Sequence, residues 1–148
     1  WGMSMGGAFA VNAAGEPSSD WDAMMVVSSF ANLEGVLESQ IPEQWKPLFP
    51  TVLSLLDLER SLQNRPTIRS IRPQQVAQTL KLPTLLVHGS EDDFVSMQQG
   101  QDLYAALGSV DRKWLTVSGA GHRNVLATSM PLYSEMNEWL LSIYSNRK

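Results

Sequence analysis

The sequence predicts an α/β fold: a mostly parallel sheet of about three strands with helices on both faces. Three observations predict it. Residues 23–27 (Ala-Met-Met-Val-Val) and 83–87 (Pro-Thr-Leu-Leu-Val) are apolar runs of strand length, and residues 113–117 (Lys-Trp-Leu-Thr-Val) form a third strand-like stretch. Segments with helical spacing lie between and after these runs. Turn and loop signals separate the two kinds of segment. Continuous apolar runs mark strands buried on both faces, and strands alternating with helices mark a parallel sheet.

Residues 6–14 are rich in small side chains and are followed by Gly15, which reads as a short helix with a glycine at its C-terminus. Residues 16–20 (Glu-Pro-Ser-Ser-Asp) form a turn that leads into the first apolar run. From residue 31 to 72 the pattern loosens under Pro42, Pro47, Pro50 and Pro66. Within it, residues 51–63 place Val52, Leu55, Leu56 and Leu62 near helical spacing, and Trp45, Leu48 and Phe49 form a separate aromatic cluster. A stretch this long is no ordinary connection, and residues 31–72 are expected to form a lid or cap-like helical insertion. Residues 73–80 read as a short helix before the second strand. Ser96 is placed to cap a helix that runs to Leu107, with Gly108 ending it. The last helix is expected from Ser129 with Pro131 in its first turn; Leu132, Met136, Trp139, Leu140 and Ile143 share one face.

At 148 residues the chain is long enough for one domain with a real core. A net charge of −4 with no basic run argues against a nucleic-acid partner. The chain has no cysteine, which excludes disulfides, thiol catalysis and cysteine-based zinc sites. No stretch approaches the ~20 apolar residues of a transmembrane segment.

The first seven residues, Trp-Gly-Met-Ser-Met-Gly-Gly, contain G-x-S-x-G. In a nucleophile elbow a strand turns sharply into a helix with the serine at the tip, and glycines two before and two after it avoid a clash. Alone the motif is weak: a chance match in a chain of this length is about 1 in 20. Two other groups raise its weight. The acidic residues Glu91, Asp92 and Asp93 follow the strand that ends at Gly89, and His122 follows the strand that ends near Val117. Ligands and reacting groups gather at the carboxyl ends of strands in such sheets. A serine hydroxyl needs an imidazole to take its proton, and the imidazole needs a carboxylate to hold it. His88, the only other histidine, closes a buried strand, where a hydrogen-bonded structural role suits it better than that of a base.

With these residues in view, the chain resembles the C-terminal half of an α/β-hydrolase, a serine hydrolase beginning at the nucleophile elbow. Gly2-Met3-Ser4-Met5-Gly6-Gly7 resembles the elbow, residues 85–95 the acid loop H-G-x-x-D-x-x-V, and Gly119-Ala120-Gly121-His122 the histidine loop. The resemblance covers essentially the whole chain, most loosely between residues 31 and 72. It implies Ser4 as nucleophile, His122 as base and Asp92, third after Gly89, as the triad acid. Asp93 and Glu91 then remain as solvated loop charges. It also implies the Met5 backbone N–H as one oxyanion-hole donor, and it calls for neither cofactor nor metal. Relatives with aspartate at the elbow, the dehalogenases and epoxide hydrolases, are set aside by the serine.

The expected activity is cleavage of a small-molecule acyl substrate, a carboxylic ester first, through a covalent acyl-enzyme. A peptidase of the prolyl-oligopeptidase type, a non-catalytic binding module on the same fold, and a lyase or haloperoxidase using the same three residues are the alternatives. A complete member of the superfamily has about five strands ahead of the elbow and draws its second oxyanion donor from among them. The resemblance therefore implies a longer parent protein whose N-terminal half completes this domain, Trp1 as the last residue of the strand feeding the elbow, an exposed sheet edge, and weak activity for these residues alone.

Overall fold

The computed structural model describes residues 1–127 and 130–145. Ten elements follow in the order β1 (Gly2–Met3), α1 (Met5–Ala14), β2 (Met24–Val27), α2 (Leu33–Ser39), α3 (Phe49–Leu62), α4 (Pro73–Ala77), β3 (Thr84–Gly89), α5 (Met97–Ala106), β4 (Arg112–Val117) and α6 (Met130–Ser145). Short 3-10 turns at Glu43–Leu48 and Ile68–Ser70 flank α3. The start expected for α6 at Ser129 lies outside the described residues.

The four strands form one sheet in the order β1-β2-β3-β4. Every pairing is parallel, with Met3 opposite Val27, Val27 opposite Val87, and Val87 opposite Leu115. The expected count of three strands rises to four because the elbow keeps a two-residue strand of its own. That strand is Gly2–Met3, so Trp1 lies before it and is not its last residue.

Topology explains where the helices go. Right-handed crossovers that lay strands down in one direction must put their helices on one face of the sheet. Accordingly Val11 of α1, Ala77 of α4 and Leu103 of α5 pack with Met24, Val26 and Leu86. The opposite face, Met25, Val27, Leu85 and Val87, is covered by Leu132, Trp139 and Ile143 of α6, the one helix that follows the last strand. Burial on both faces is why β2 and β3 read as unbroken apolar runs rather than alternating ones. Each fully buried Val or Leu contributes about 1.5–3 kcal/mol. Helices therefore lie on both faces, as the sequence predicts.

Gly15 and Gly108 act through space and not through backbone freedom. Gly15 follows α1 with φ −79°, an ordinary right-handed value. Its missing side chain matters because a Cβ would come within 2.3 Å of Val76 on α4. Gly15 does cap α1, as expected, but Gly108 does not end α5. The helix stops at Ala106, Leu107 turns extended, and the Gly108 N–H donates to the Ala77 carbonyl at 2.9 Å. Ser96 sits at the N-cap position of α5, but its side chain makes no capping bond.

The segment 31–72 departs most from its pattern. The core-facing side of α3 is Phe49, Leu53 and Asp57, not the stripe of Val52, Leu55, Leu56 and Leu62. Leu55 is 63% exposed and Leu62 77%. Trp45 and Leu48 are exposed while Phe49 is buried, so they form no buried aromatic cluster. An ion-pair network lies on the same side as the buried Phe49 and Leu53. Arg69 pairs with Asp57 at 3.4 Å and with Glu34 at 3.3 Å, and Arg72 reaches Glu34 at 3.5 Å. The Asp57 carboxylate also accepts the Ile68 N–H at 2.6 Å.

Gly108→Ala tests the close-packing account. The new Cβ would lie 2.2 Å from the Gln78 carbonyl oxygen. The substitution is expected to cost about 1–3 kcal/mol, read as a lower urea midpoint with unchanged slope.

Candidate active site

Ser4 occupies the single residue between β1 and α1, with φ 53° and ψ −124°. A positive φ is uncommon for a residue with a side chain and stores strain that the surroundings must offset. Here the Ser4 N–H donates to Val27 O at 2.9 Å. The Ser4 carbonyl accepts the Ser29 hydroxyl at 2.8 Å and the N–H groups of Gly7 and Ala8 at 3.0 and 3.2 Å.

The glycines around it divide the work unequally. A Cβ on Gly2 would meet the Gly6 carbonyl oxygen at 2.2 Å, so the tight turn requires that glycine. A Cβ on Gly6 would meet nothing within 4 Å. Gly7, outside the motif, is the second required one, because its Cβ would lie 2.7 Å from Ser29 Cβ.

The acid and histidine loops are laced together by their backbones. Ser90 N–H donates to Val117 O at 3.0 Å, Glu91 N–H to Ala120 O at 2.9 Å, and Gly119 N–H to the Ser90 hydroxyl at 2.8 Å. Gly89 permits this approach, since a Cβ there would sit 2.2 Å from Ala120 O. Gly119 turns the histidine loop at φ +72°, a region that favours glycine.

The three loops bring Ser4, Asp92 and His122 into one hydrogen-bonded chain. His122 Nδ1 lies 2.9 Å from Asp92 Oδ2 and 3.1 Å from Oδ1. His122 Nε2 lies 2.9 Å from Ser4 Oγ. An ionised carboxylate only accepts, so Nδ1 carries the proton and Nε2 is free to accept the Ser4 hydroxyl proton. Asp92 Oδ1 also accepts the N–H groups of Phe94 at 3.1 Å and Val95 at 2.8 Å. The Asp92 side chain is wholly buried, while that of His122 is 14% exposed and faces the Phe94 ring at 5.0 Å. Asp93, the neighbour, is exposed and makes none of these side-chain bonds. Met5 is the first residue of α1, so its N–H belongs to the helix end whose donors have no partner within the helix.

His88 lies behind Asp92. Its Nε2 is 2.9 Å from Val95 O and 3.6 Å from Asp92 Oδ2, and its ring stacks on Trp114 with centroids 5.9 Å apart. A carbonyl only accepts, so Nε2 carries the proton. Burial lowers the His88 pKa below its ordinary 6.5, more than the Val95 bond and the nearby Asp92 charge raise it; His122 lowers it further. A cavity of about 730 Å³ opens beside His122, bounded by Gln40, Asp93, Phe94, His122, Arg123 and Asn124. Gln40, at the end of α2, ties the 31–72 segment to the acid loop by donating to Phe94 O at 3.1 Å.

Two residues of the site were not singled out in the sequence. Ser28 and Ser29 directly follow β2 beside the elbow. Ser28 has φ 44°, and its buried hydroxyl finds no partner among the described residues. Ser29 bonds the elbow. The available signal was a pair of polar residues closing a buried strand next to a predicted turn.

Comparison with known proteins places the chain in a family. The family model described as "Prolyl oligopeptidase family" matches residues 1–146, nearly the entire chain. The chain belongs to the prolyl oligopeptidase family. Solved α/β-hydrolases share its fold. A monoacylglycerol lipase of Paleococcus ferrophilus matches with a TM-score of 0.63 at 17% identity, over 96% of this chain and 67% of that one. An α/β-hydrolase enzyme, MGS-MChE2, from a metagenome of Mar Chica lagoon sediments matches with a TM-score of 0.64 at 18% identity, over 95% and 59%. The esterase domain of a Rhodothermus marinus protein matches with a TM-score of 0.57 at 20% identity, over 82% and 49%. The chain thus spans about half to two thirds of the length of these structures. At such identities the likeness is one of fold. No curated protein sequence matches the chain significantly.

Two measurements test the packing and the electrostatics of the site. Gly7→Ala is expected to destabilise the fold by about 1–3 kcal/mol, whereas Gly6→Ala, at an open helical position, is expected to gain up to ~1 kcal/mol; urea unfolding compares them. The second concerns pH. His88 is neutral and buried when folded but takes a proton near its ordinary 6.5 when unfolded. Stability is therefore full above about pH 6.5 and falls as acid protonates the unfolded chain. The melting temperature is expected to drop between pH 7.5 and pH 5, and to drop less in His88→Gln.

Proposed function

We propose that the protein is a serine hydrolase that cleaves carboxylic esters through a covalent acyl-enzyme. The observation that supports this reading most is the chain of two hydrogen bonds, Ser4 Oγ to His122 Nε2 at 2.9 Å and His122 Nδ1 to Asp92 at 2.9 Å. Membership in the prolyl oligopeptidase family supports hydrolysis as the reaction type.

Each group has one task in this reading. Ser4 Oγ attacks the acyl carbonyl carbon as its proton passes to His122 Nε2. Asp92 holds the imidazole by Nδ1 and stabilises the imidazolium. The carbonyl oxygen, now negative, accepts the Met5 N–H at the positive end of α1. The tetrahedral intermediate collapses, the bond to the alcohol breaks, and His122 Nε2 returns the proton to the leaving oxygen. Water then attacks the acyl-enzyme with His122 again as base, releasing the acid and Ser4. The cavity beside His122 has the size of a small-molecule site. Segment 31–72 acts as a cap over it, a role supported by the Gln40 tether.

The family match favours a second reading, in which the acyl group belongs to a peptide and the leaving group is an amine. The mechanism is the same apart from the leaving atom. Comparison of p-nitrophenyl acetate with a prolyl p-nitroanilide, on the intact protein, decides between them; faster turnover of the anilide would replace the ester reading.

Ser4→Ala, His122→Ala and the double variant are each expected to lose roughly 10⁵–10⁶-fold in kcat/KM, without additivity, because the residues act as a unit. Ester turnover that survives in folded Ser4→Ala would refute the reading.

A further inference from the structure

We propose that His88 is a positioning residue for Asp92, acting through the Val95 carbonyl. The role deepens the serine-hydrolase reading and rests on it. Its basis is the way the acid loop is closed.

Asp92 is held at Oδ1 by the Phe94 and Val95 N–H groups, so the peptide units of residues 93–95 form a small cradle for the carboxylate. A cradle made of loop backbone is only as fixed as the loop. The loop's far end is pinned by His88, whose Nε2–H donates to Val95 O at 2.9 Å. Val95 thus gives its N–H to Asp92 and its carbonyl to His88. Val95 is itself buried, 1% exposed, against Ala8, Phe30 and Val36.

The His88 ring is in turn stacked on one face and closely approached at its Nδ1 edge. Trp114 stacks on it at 9° between planes, and Gly100 of α5 leaves it room: a Cβ there would sit 2.4 Å from Nδ1 and 2.9 Å from Cε1. A buried, hydrogen-bonded side chain with locked rotamers is the support that a precise reacting geometry requires. The charge state of His88 matters as well. His88 Nε2 stands 3.6 Å from Asp92 Oδ2. A cation there would compete with His122 for the carboxylate. The charged and titratable groups facing His88 are Asp92 and His122, and burial keeps His88 neutral between them. A neutral His88 then does not compete with His122 for the Asp92 carboxylate.

Proton NMR of the full 148-residue chain reads this directly, because the chain holds only two histidines. The signal is the His122 Nδ1–H in its bond to Asp92. In wild type and in His88→Gln, whose amide still donates to Val95 O, that proton is expected to be sharp and slow to exchange. In His88→Leu it is expected to exchange at least about fivefold faster, the factor that matches one lost hydrogen bond of typical net strength. Gly100→Ala, which keeps the histidine but pushes its ring, is expected to give the same loss, and it decides the matter if His88→Leu fails to fold by circular dichroism. On the intact protein the expected companion is a fall in kcat of roughly 10²-fold in His88→Leu at unchanged KM. An unchanged His122 proton in folded His88→Leu or Gly100→Ala overturns the proposal, as does loss of the signal in His88→Gln. Neither result touches the nucleophile assignment. That assignment fails separately, if Ser4→Ala keeps its ester turnover while the His122 proton stays protected.

Discussion

The structure depends on holding one serine in a backbone conformation it does not favour. Ser4 at φ 53° carries a cost of about 1–3 kcal/mol. Its carbonyl takes three donors, from Ser29, Gly7 and Ala8, and its N–H extends the β1–β2 ladder to Val27. These bonds come from two elements, β2 with its terminal serines and the first turn of α1. Neither would reach Ser4 without a parallel sheet that ends every strand at the same edge. Strain, sheet order and helix placement are thus one arrangement.

The same edge collects the other two groups. Asp92 follows β3 and His122 follows β4, and the two loops are joined by backbone bonds before any side chain meets. The Asp92–His122 contact is the last layer on that scaffold. Behind it stand His88, Trp114 and Gly100, which fill the space between sheet and α5. A chain of support therefore runs from the packed face of the sheet to the Ser4 hydroxyl.

Much of this was legible in the sequence, for identifiable reasons. The strands β2 and β3 are buried on both faces, which leaves an unbroken apolar signal. Ser4, Asp92 and His122 each sit a fixed few residues past a strand, so their convergence follows from parallel topology once the strands are found. The glycine motif was legible only in part: Gly2 is demanded by Gly6 O, but Gly6 itself faces open space, and Gly7 packs on Ser29. Contacts distant in sequence, such as Gly15 with Val76 or Gly108 with Gln78, leave no local mark. Helix α3 misled for a different reason. Its strongest apolar stripe faces outward, while its core-facing side includes a polar residue, Asp57, that bonds Arg69 and the Ile68 N–H. Hydrophobic periodicity cannot register an ion pair formed 12 residues away.

The central claim is that the Ser4 hydroxyl is activated by His122. Reaction with a fluorophosphonate, followed by peptide mass spectrometry, tests it most directly, because the probe phosphonylates a serine whose proton is being removed. The account predicts one adduct per chain, on Ser4, formed in the wild type and absent in folded His122→Ala. A folded protein that leaves Ser4 unlabelled, or that labels it equally well without His122, would contradict it.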